Sequence, residues 1–407
     1  MNGEAGPLRP AGLGDLIYVV TDPGVPAFGS KGASVHVQAM LREFAALARP
    51  YRRRVVLVAT RLGGPPPSDL ADVETIELGR PTADGPAERE RALVALDETA
   101  ARIVARLVAQ AGPGTVVYQR YGLWSARTLQ VARDVGARTI LEINAPLVAE
   151  QATHRVLIDA ERALDLTREA IRSAHLPYAV SSPVAAWAAE ESGVPVLTIP
   201  NGVDPGRFTA EPGSGSPTPV IAFVGTFRPW HAPELLVAAA ARLASDGDPV
   251  SLLLVGDGPL REDALAAAAA AGVAVTSTGA VAPAEVPALL ARADIACAPY
   301  PEGDAYFSPL KVFEYLAAGL PTVSAAVADL PRLLRPEEAL LTPPGDLEAL
   351  TEALRTLVRD PAARARLGRA GRTAARERFA WSALARDVLT RVGAIRPVPP
   401  ATLRGTS

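Results

Sequence analysis

The densest run of chemistry-bearing residues in this 407-residue sequence is DAYFSPLKVFEYLAAGLPTVSA. Ser308 is a good helix N-cap, Pro309 suits the first helical position, and the amides of Leu310 and Lys311 then lack intrahelical partners. Free N–H groups, the positive end of a helix dipole and an ammonium together make an anion site. Glu314, one turn beyond Leu310, is placed to accept hydrogen bonds from hydroxyls beside that anion. The plain alternative is a solvated ion pair, because Lys311 and Glu314 stand three apart on the helix. Composition bears on the choice. Of 41 basic residues only Lys31 and Lys311 are lysines. A chain that uses arginine almost everywhere keeps lysine either by chance or where a compact ammonium differs from a planar guanidinium.

Other stretches place similar residues after apolar, β-rich runs. FVGTFRPWH carries Gly225 and Arg228, and LLLVGDGP carries Gly256 and Gly258. An arginine, a lysine, glycines and a helix N-terminus at several strand ends suggest a diphosphate held without a metal. Earlier in the chain, DPGVPAFGSKGASVHV sets Gly29 and Gly32 before a helix, where a backbone without Cβ lets a ligand approach. His36 falls in the first turn of that helix, either facing a ligand or capping the helix. These glycines do not spell a dinucleotide fingerprint, and the second strand closes on Thr60 and Arg61 rather than an acid. Asp246-Gly247-Asp248 is a literal Asp-x-Asp, but it precedes a strand and so falls at the sheet edge opposite the ligand end. No metal role is expected there. One cysteine and four histidines are too few for a Cys/His cluster, and Cys297 in ADIACAPY reads as a reduced core thiol. No Gly-x-Ser-x-Gly elbow is present.

The elements that position these residues alternate along the whole length. Strands are expected at Leu16–Val20, Arg54–Ala59, Thr115–Tyr118, Thr139–Ile143, Tyr178–Val180 and Val196–Ile199. A second series follows at Val220–Val224, Ser251–Val255, Val273–Val275, Asp294–Ala298, Pro321–Ser324 and Leu340–Thr342. Helix-period stretches separate them, including Ser34–Leu47, Glu88–Ala109, Thr153–Arg172 and Pro309–Ala318. Strand, helix, strand at this spacing means right-handed βαβ units and mostly parallel sheets. The Pro/Gly/Ser-rich stretch Thr209–Pro219 reads as an interdomain connector. The fold class expected is therefore α/β, with two Rossmann-like doubly wound domains, 1–208 and 209–380. Ligands bind outside the carboxyl ends of such strands, so the cleft between two facing domains is the expected site. A last amphipathic helix, Trp381–Val392, precedes a Pro-rich tail, 396–407, expected to be disordered.

A net charge of −3, with 49% apolar and 21% charged residues, fits a soluble globular protein and offers no basic field for nucleic acid. The N-terminus has no cationic head followed by an apolar stretch, so no secretory signal is expected. The uncharged run Ala264–Ala284 parses as a helix, a stop at Gly272, a short strand and a polar turn rather than a membrane span. A cytoplasmic location follows, with membrane contact peripheral at most. Arg52, Arg53 and Arg54 are expected simply to flank a strand.

In this order and spacing, GSKGASVH, PNGVDPGRF, FVGTFRPWH, LLLVGDGP, STGAVAPAEVPALLARADIACAPY and SPLKVFEYLAAGLPTVSA make the chain resemble a known family. It is similar to the retaining nucleotide-sugar glycosyltransferases of family 4, with the GT-B architecture, over nearly its whole length. The resemblance implies that Gly32 meets the donor diphosphate and sugar and that Arg228 grips the phosphates. It implies that the base contacts main chain at Val281, and that Glu314, the second glutamate of Glu-x7-Glu, receives ribose hydroxyls. Amides of Leu310 and Lys311 would receive phosphate oxygens, and the helix from Trp381 would cross back onto the first domain. Three departures stand out. Tyr306 replaces the first glutamate, with Asp304 and Glu302 the nearest acids. His231 stands where a second phosphate-binding lysine is often found, which leaves that task to Lys311. Asn144 replaces a histidine, so proton transfer at the acceptor would fall to the donor phosphate with His36, Glu142 or His154. The function implied is metal-independent, retaining transfer of a hexosyl unit from a UDP-sugar, or next a GDP-sugar, to a small molecule or glycan. The rival readings are a non-catalytic nucleotide-sugar or glycan-binding module and a sugar-nucleotide epimerase or hydrolase.

Overall fold

The structure, a computed structural model, describes residues 12–303 and 308–396. The expected tail, Asp304, Tyr306 and the ring of His154 lie outside the described residues. The chain forms two compact units. The first takes the chain up to Val180, Val184–Ile199 and the chain from Leu384; the second takes Ser181–Pro183 and Pro200–Ala383.

In the first unit, β1 (Leu16–Val20), β2 (Val55–Ala59), β3 (Glu74–Glu77), β4 (Val116–Arg120), β5 (Arg138–Ile143), β6 (Leu176–Ala179) and β7 (Leu197–Thr198) form one parallel sheet. Its order is β3-β2-β1-β4-β5-β6-β7, which reverses direction between β1 and β4. The Val/Ile/Leu-rich central strands are buried on both faces, as a parallel sheet requires. β3 was not expected from the sequence. Its ETIE pattern lacks an apolar run because it is a short edge strand, with Glu74 and Glu77 exposed, and charge there discourages further pairing. The expected helix 153–172 is two helices, Leu147–His154 and Ala160–Ser173. Asp159 starts the second by accepting from the Arg162 amide at 2.9 Å, while the buried Glu90 carboxylate takes the amides of Ile158 and Asp159 at 2.7 and 3.1 Å.

The second unit repeats the plan. β8 (Val220–Val224), β9 (Ser251–Val255), β10 (Ala274–Gly279), β11 (Ile295–Ala298), β12 (Thr322–Ala325) and β13 (Leu340–Thr342) run in the order β10-β9-β8-β11-β12-β13. Alternation along the strands fills two cores. Ile221, Phe223, Leu252 and Leu254 face one; Ala222, Leu253 and Val255 face the other. Cys297 is fully buried in the first of these, and burial pushes its thiol pKa up, so it is an inert core residue. The chain order reverses between β8 and β11, so the loops at their carboxyl ends flank a switch point.

The stretch Thr209–Pro219 is not a loose connector. The Gly213 amide donates to the Ala291 carbonyl at 3.0 Å, and Asp294 accepts from the Ser214 amide, the Ser214 hydroxyl and the Val220 amide at 3.1, 2.5 and 2.8 Å. The boundary between units accordingly falls at 199/200 rather than at 208/209. The closing helix is Trp381–Arg391, and the chain from Leu384 belongs to the first unit. Ala264–Ala284 contains the end of the helix Arg261–Ala270 and then β10, and no helix among the described residues is long and apolar enough to cross a membrane.

Candidate functional site

At the switch point of the second unit, β8 gives way to the loop Gly225–His231. Two glycines after β9 brace this loop backbone to backbone. Gly256 (φ +119°) and Gly258 (φ +155°) leave no room for a side chain: a Cβ there would lie 1.9 Å from the Gly225 carbonyl oxygen or 1.8 Å from that of Thr226. What the structure shows of Gly256 is therefore packing. Phe227 and Ala232 both hold φ near +44°, strain that tight packing sustains. A Cβ on Gly225 would lie 2.9 Å from Phe223 Cζ, 3.1 Å from Lys311 Nζ and 3.2 Å from His231 Nδ1, so this glycine adjoins the ring and both nitrogens.

Lys311 projects from the helix Leu310–Ala318, which follows β11. Its Nζ is buried without a hydrogen-bond partner among the described residues, lying 4.7 Å from the Phe223 ring centroid and 5.3 Å from that of Tyr300. Ring faces offset only part of the cost of burying a charge. Burial pulls the Lys311 pKa down to about 7, against smaller opposing pulls from Cys297 and Glu314. His231 Nδ1 is likewise buried and unpartnered. Burial first and Lys311 second hold the His231 pKa at about 3, so its ring is neutral. Two nitrogens without a partner among the described residues, one cationic below neutrality, converge beside Gly225. The solvated Lys311–Glu314 pair is thereby excluded.

The helix start differs from expectation. Pro309, not Ser308, is the N-cap; no side chain caps the helix, and the Leu310 amide is taken by the Ser308 carbonyl at 2.9 Å. Ser308 Oγ instead accepts from the Asn201 amide at 3.2 Å. The Ser308 cap and the free Leu310 amide are thus both corrected: proline has no N–H, and the chain turns through Ser308 before the helix begins.

Glu314 is half-buried, and its Oε1 lies 3.6 Å from Nη1 of Arg207, a partner absent from the sequence reading although PNGVDPGRF contains it. Burial pushes the Glu314 carboxyl up, with Arg207 and Lys311 pulling against it. Val281 sits in the turn after β10, and neither of its main-chain groups has a hydrogen-bond partner among the described residues. Arg228 is exposed and has no ion pair among the described residues, its Cζ 5.9 Å over the Trp230 ring. Asp246 and Asp248 are consumed by arginines: Arg355 contacts them at 2.6 and 3.4 Å, and Arg359 binds Asp248 at 2.7 Å. Hydrogen bonding to Arg359 holds the Asp248 carboxyl below its usual value.

In the first unit, Gly32 begins the helix Gly32–Ala48, exposed, with open space where a Cβ would sit. His36 turns inward. Its Nε2 lies 2.6 Å from Oε1 of the buried Glu142. That carboxylate also receives the Tyr178 hydroxyl at 3.2 Å and has Arg120 Nη1 at 3.7 Å, with Asn144 beside it. Burial alone would raise Glu142, but His36, Arg120 and Asn144 bring it down to about 2, so it is ionised. The structure thus joins His36, Glu142 and Asn144 in one cluster, with a carboxylate orienting the imidazole.

Residues 218–360 match the family model described as "Glycosyl transferases group 1". The phosphatidyl-myo-inositol mannosyltransferase of Mycobacterium leprae is 32% identical over 217 residues, covering 52% of this chain and 57% of that protein. The chain thus spans little more than half the length of that curated relative. Among solved structures, sucrose-phosphate synthase from Thermosynechococcus elongatus aligns with a TM-score of 0.64 at 22% identity, over 92% of this chain and 98% of its own. Anabaena HepE in complex with UDP aligns at 0.63 and 17% identity, over 94% of this chain and 100% of its own. At such identities the likeness shows the fold, which is GT-B. Residues 218–360 of the second unit are thus similar to a glycosyl transferases group 1 domain, in a chain of GT-B fold.

Proposed function

We propose that the protein is a retaining, metal-independent glycosyltransferase that moves a hexosyl unit from a nucleotide diphosphate sugar, UDP-linked before GDP-linked, to a small-molecule or glycan acceptor. The observation that carries this reading is the buried, unpartnered Lys311 Nζ beside His231 Nδ1 and Gly225. A buried ammonium without a counter-charge is costly, and a diphosphate oxygen would supply that charge. As the glycosidic bond breaks, negative charge grows on the departing diphosphate, where Lys311 and Arg228 stabilise it more than in the ground state. Retention rests on the resemblance, and the UDP preference is supported by HepE, which was solved with UDP.

Calorimetric titration with UDP and GDP, followed by donor turnover after exhaustive EDTA treatment, tests the reading. Binding of a nucleoside diphosphate and metal-free turnover with retained anomeric configuration are expected. Binding of neither nucleotide, or activity that vanishes with EDTA and returns with Mg²⁺, would overturn it.

A further inference from the structure

We infer that Arg207 is a positioning residue for the nucleoside half of the donor, holding the ribose-binding carboxylate and the base-facing turn in fixed relation. The inference rests on the donor reading above. Arg207 ends the short 3-10 turn Pro205–Arg207, which Asp204 caps by accepting from the Gly206 amide at 2.9 Å. From there its guanidinium, 5.6 Å over the ring of buried Phe208, reaches two elements far apart in sequence. Nη1 lies 3.6 Å from Glu314 Oε1, and Nη2 donates to the Pro283 carbonyl.

Pro283 belongs to the turn of Val281, whose main-chain groups have no partner among the described residues and, on the donor reading, would meet the base. The other side of that turn is fixed by Glu285, whose carboxylate accepts from the Ala282 amide at 2.8 Å. A planar fork with one arm on each element sets the distance between them, which a lysine's single ammonium cannot do. Arg207 also supplies the nearest positive charge to a carboxylate that burial pushes toward neutrality, keeping it an acceptor for hydroxyls. The phosphate-binding nitrogens of Lys311 and His231 lie outside this bridge. Its loss should therefore affect the nucleoside and spare the diphosphate.

The test compares UDP with inorganic pyrophosphate as calorimetric probes of the wild type, Arg207→Gln, Arg207→Lys and Glu314→Gln. Arg207→Gln is expected to weaken UDP binding about tenfold, the size of a lost charge-assisted contact, and to leave pyrophosphate within about twofold. Donor KM should rise with kcat within about threefold, since only uniform binding is lost. Arg207→Lys should recover part of the loss. Added to Glu314→Gln, Arg207→Gln should cost less than about twofold more, because the two act as one unit. Equal weakening of UDP and pyrophosphate, unchanged UDP affinity, or full rescue by lysine would overturn the bridge. A folded wild type that binds pyrophosphate but neither UDP nor GDP would instead refute the nucleotide-donor reading on which it stands.

Discussion

Replacing Lys311 with methionine should make the unliganded protein more stable while abolishing donor binding. The Lys311 pKa falls from 10.5 to about 7 on folding. At 1.36 kcal/mol per unit the cost of the buried charge at pH 7 has a ceiling of about 5 kcal/mol. The sign follows from proton counting. Between pH 7 and 10.5 the unfolded chain holds the proton and the folded one has released it, so the wild type gains stability as pH rises across that window. Methionine fills the same volume, removes the charge and keeps its thioether against Phe223 and Tyr300. Realising a third of the ceiling would raise Tm by about 3–6 °C for a unit of this size. The assay is paired thermal unfolding of wild type and Lys311→Met from pH 7 to 10. The gain should be largest at pH 7 and shrink as the pH rises. A variant of unchanged or lower Tm at pH 7, or a gain indifferent to pH, would refute the argument that the ammonium is buried at a cost.

The same ammonium makes donor binding take up a proton, so UDP affinity should fall toward tenfold per unit as pH rises above about 7, measurable by calorimetry in buffers of different ionisation heat. Gly225→Ala should weaken UDP binding at least about tenfold and also lower Tm, because its Cβ would lie 3.1 Å from Lys311 Nζ and 2.9 Å from Cζ of the buried Phe223 ring. Gly256→Ala, set against the Gly225 carbonyl, should instead lower stability by about 2 kcal/mol or more in urea unfolding. Glu142→Gln should cost about 3 kcal/mol at pH 7 by stripping His36 and Arg120 of their buried carboxylate. Glu142 is held down at about 2, so that difference is present above its unfolded value of 4.5 and should disappear as pH falls through that interval.

Local patterns carried most of the fold. β1, β8 and β9 end where their apolar runs end, and the scarcity of lysine singles out Lys311. What the sequence concealed is non-local. Nothing near Glu314 points to Arg207, more than a hundred positions earlier, and nothing near Lys311 points to Phe223 as the ring beneath it. Composition marks Thr209–Pro219 as a connector but carries no sign that Asp294 collects the donors of Ser214. Ser308 looked like a cap because capping preferences are statistical, whereas its hydroxyl is engaged by Asn201. β3 escaped because an edge strand needs backbone partners more than apolar side chains.

The lowered basicity of Lys311 has a practical side. An amine that sheds its proton near neutrality is a nucleophile under assay conditions, and this chain has only one other lysine, the exposed Lys31. A phosphate-bearing aldehyde would be drawn to the same pocket as the diphosphate and condense there with the free amine, releasing water. Borohydride reduction would then leave one covalent mark on the helix Leu310–Ala318, and bound nucleotide would shield it. The donor pocket thus comes with its own attachment point for a label, readable by peptide mass alone and independent of any acceptor.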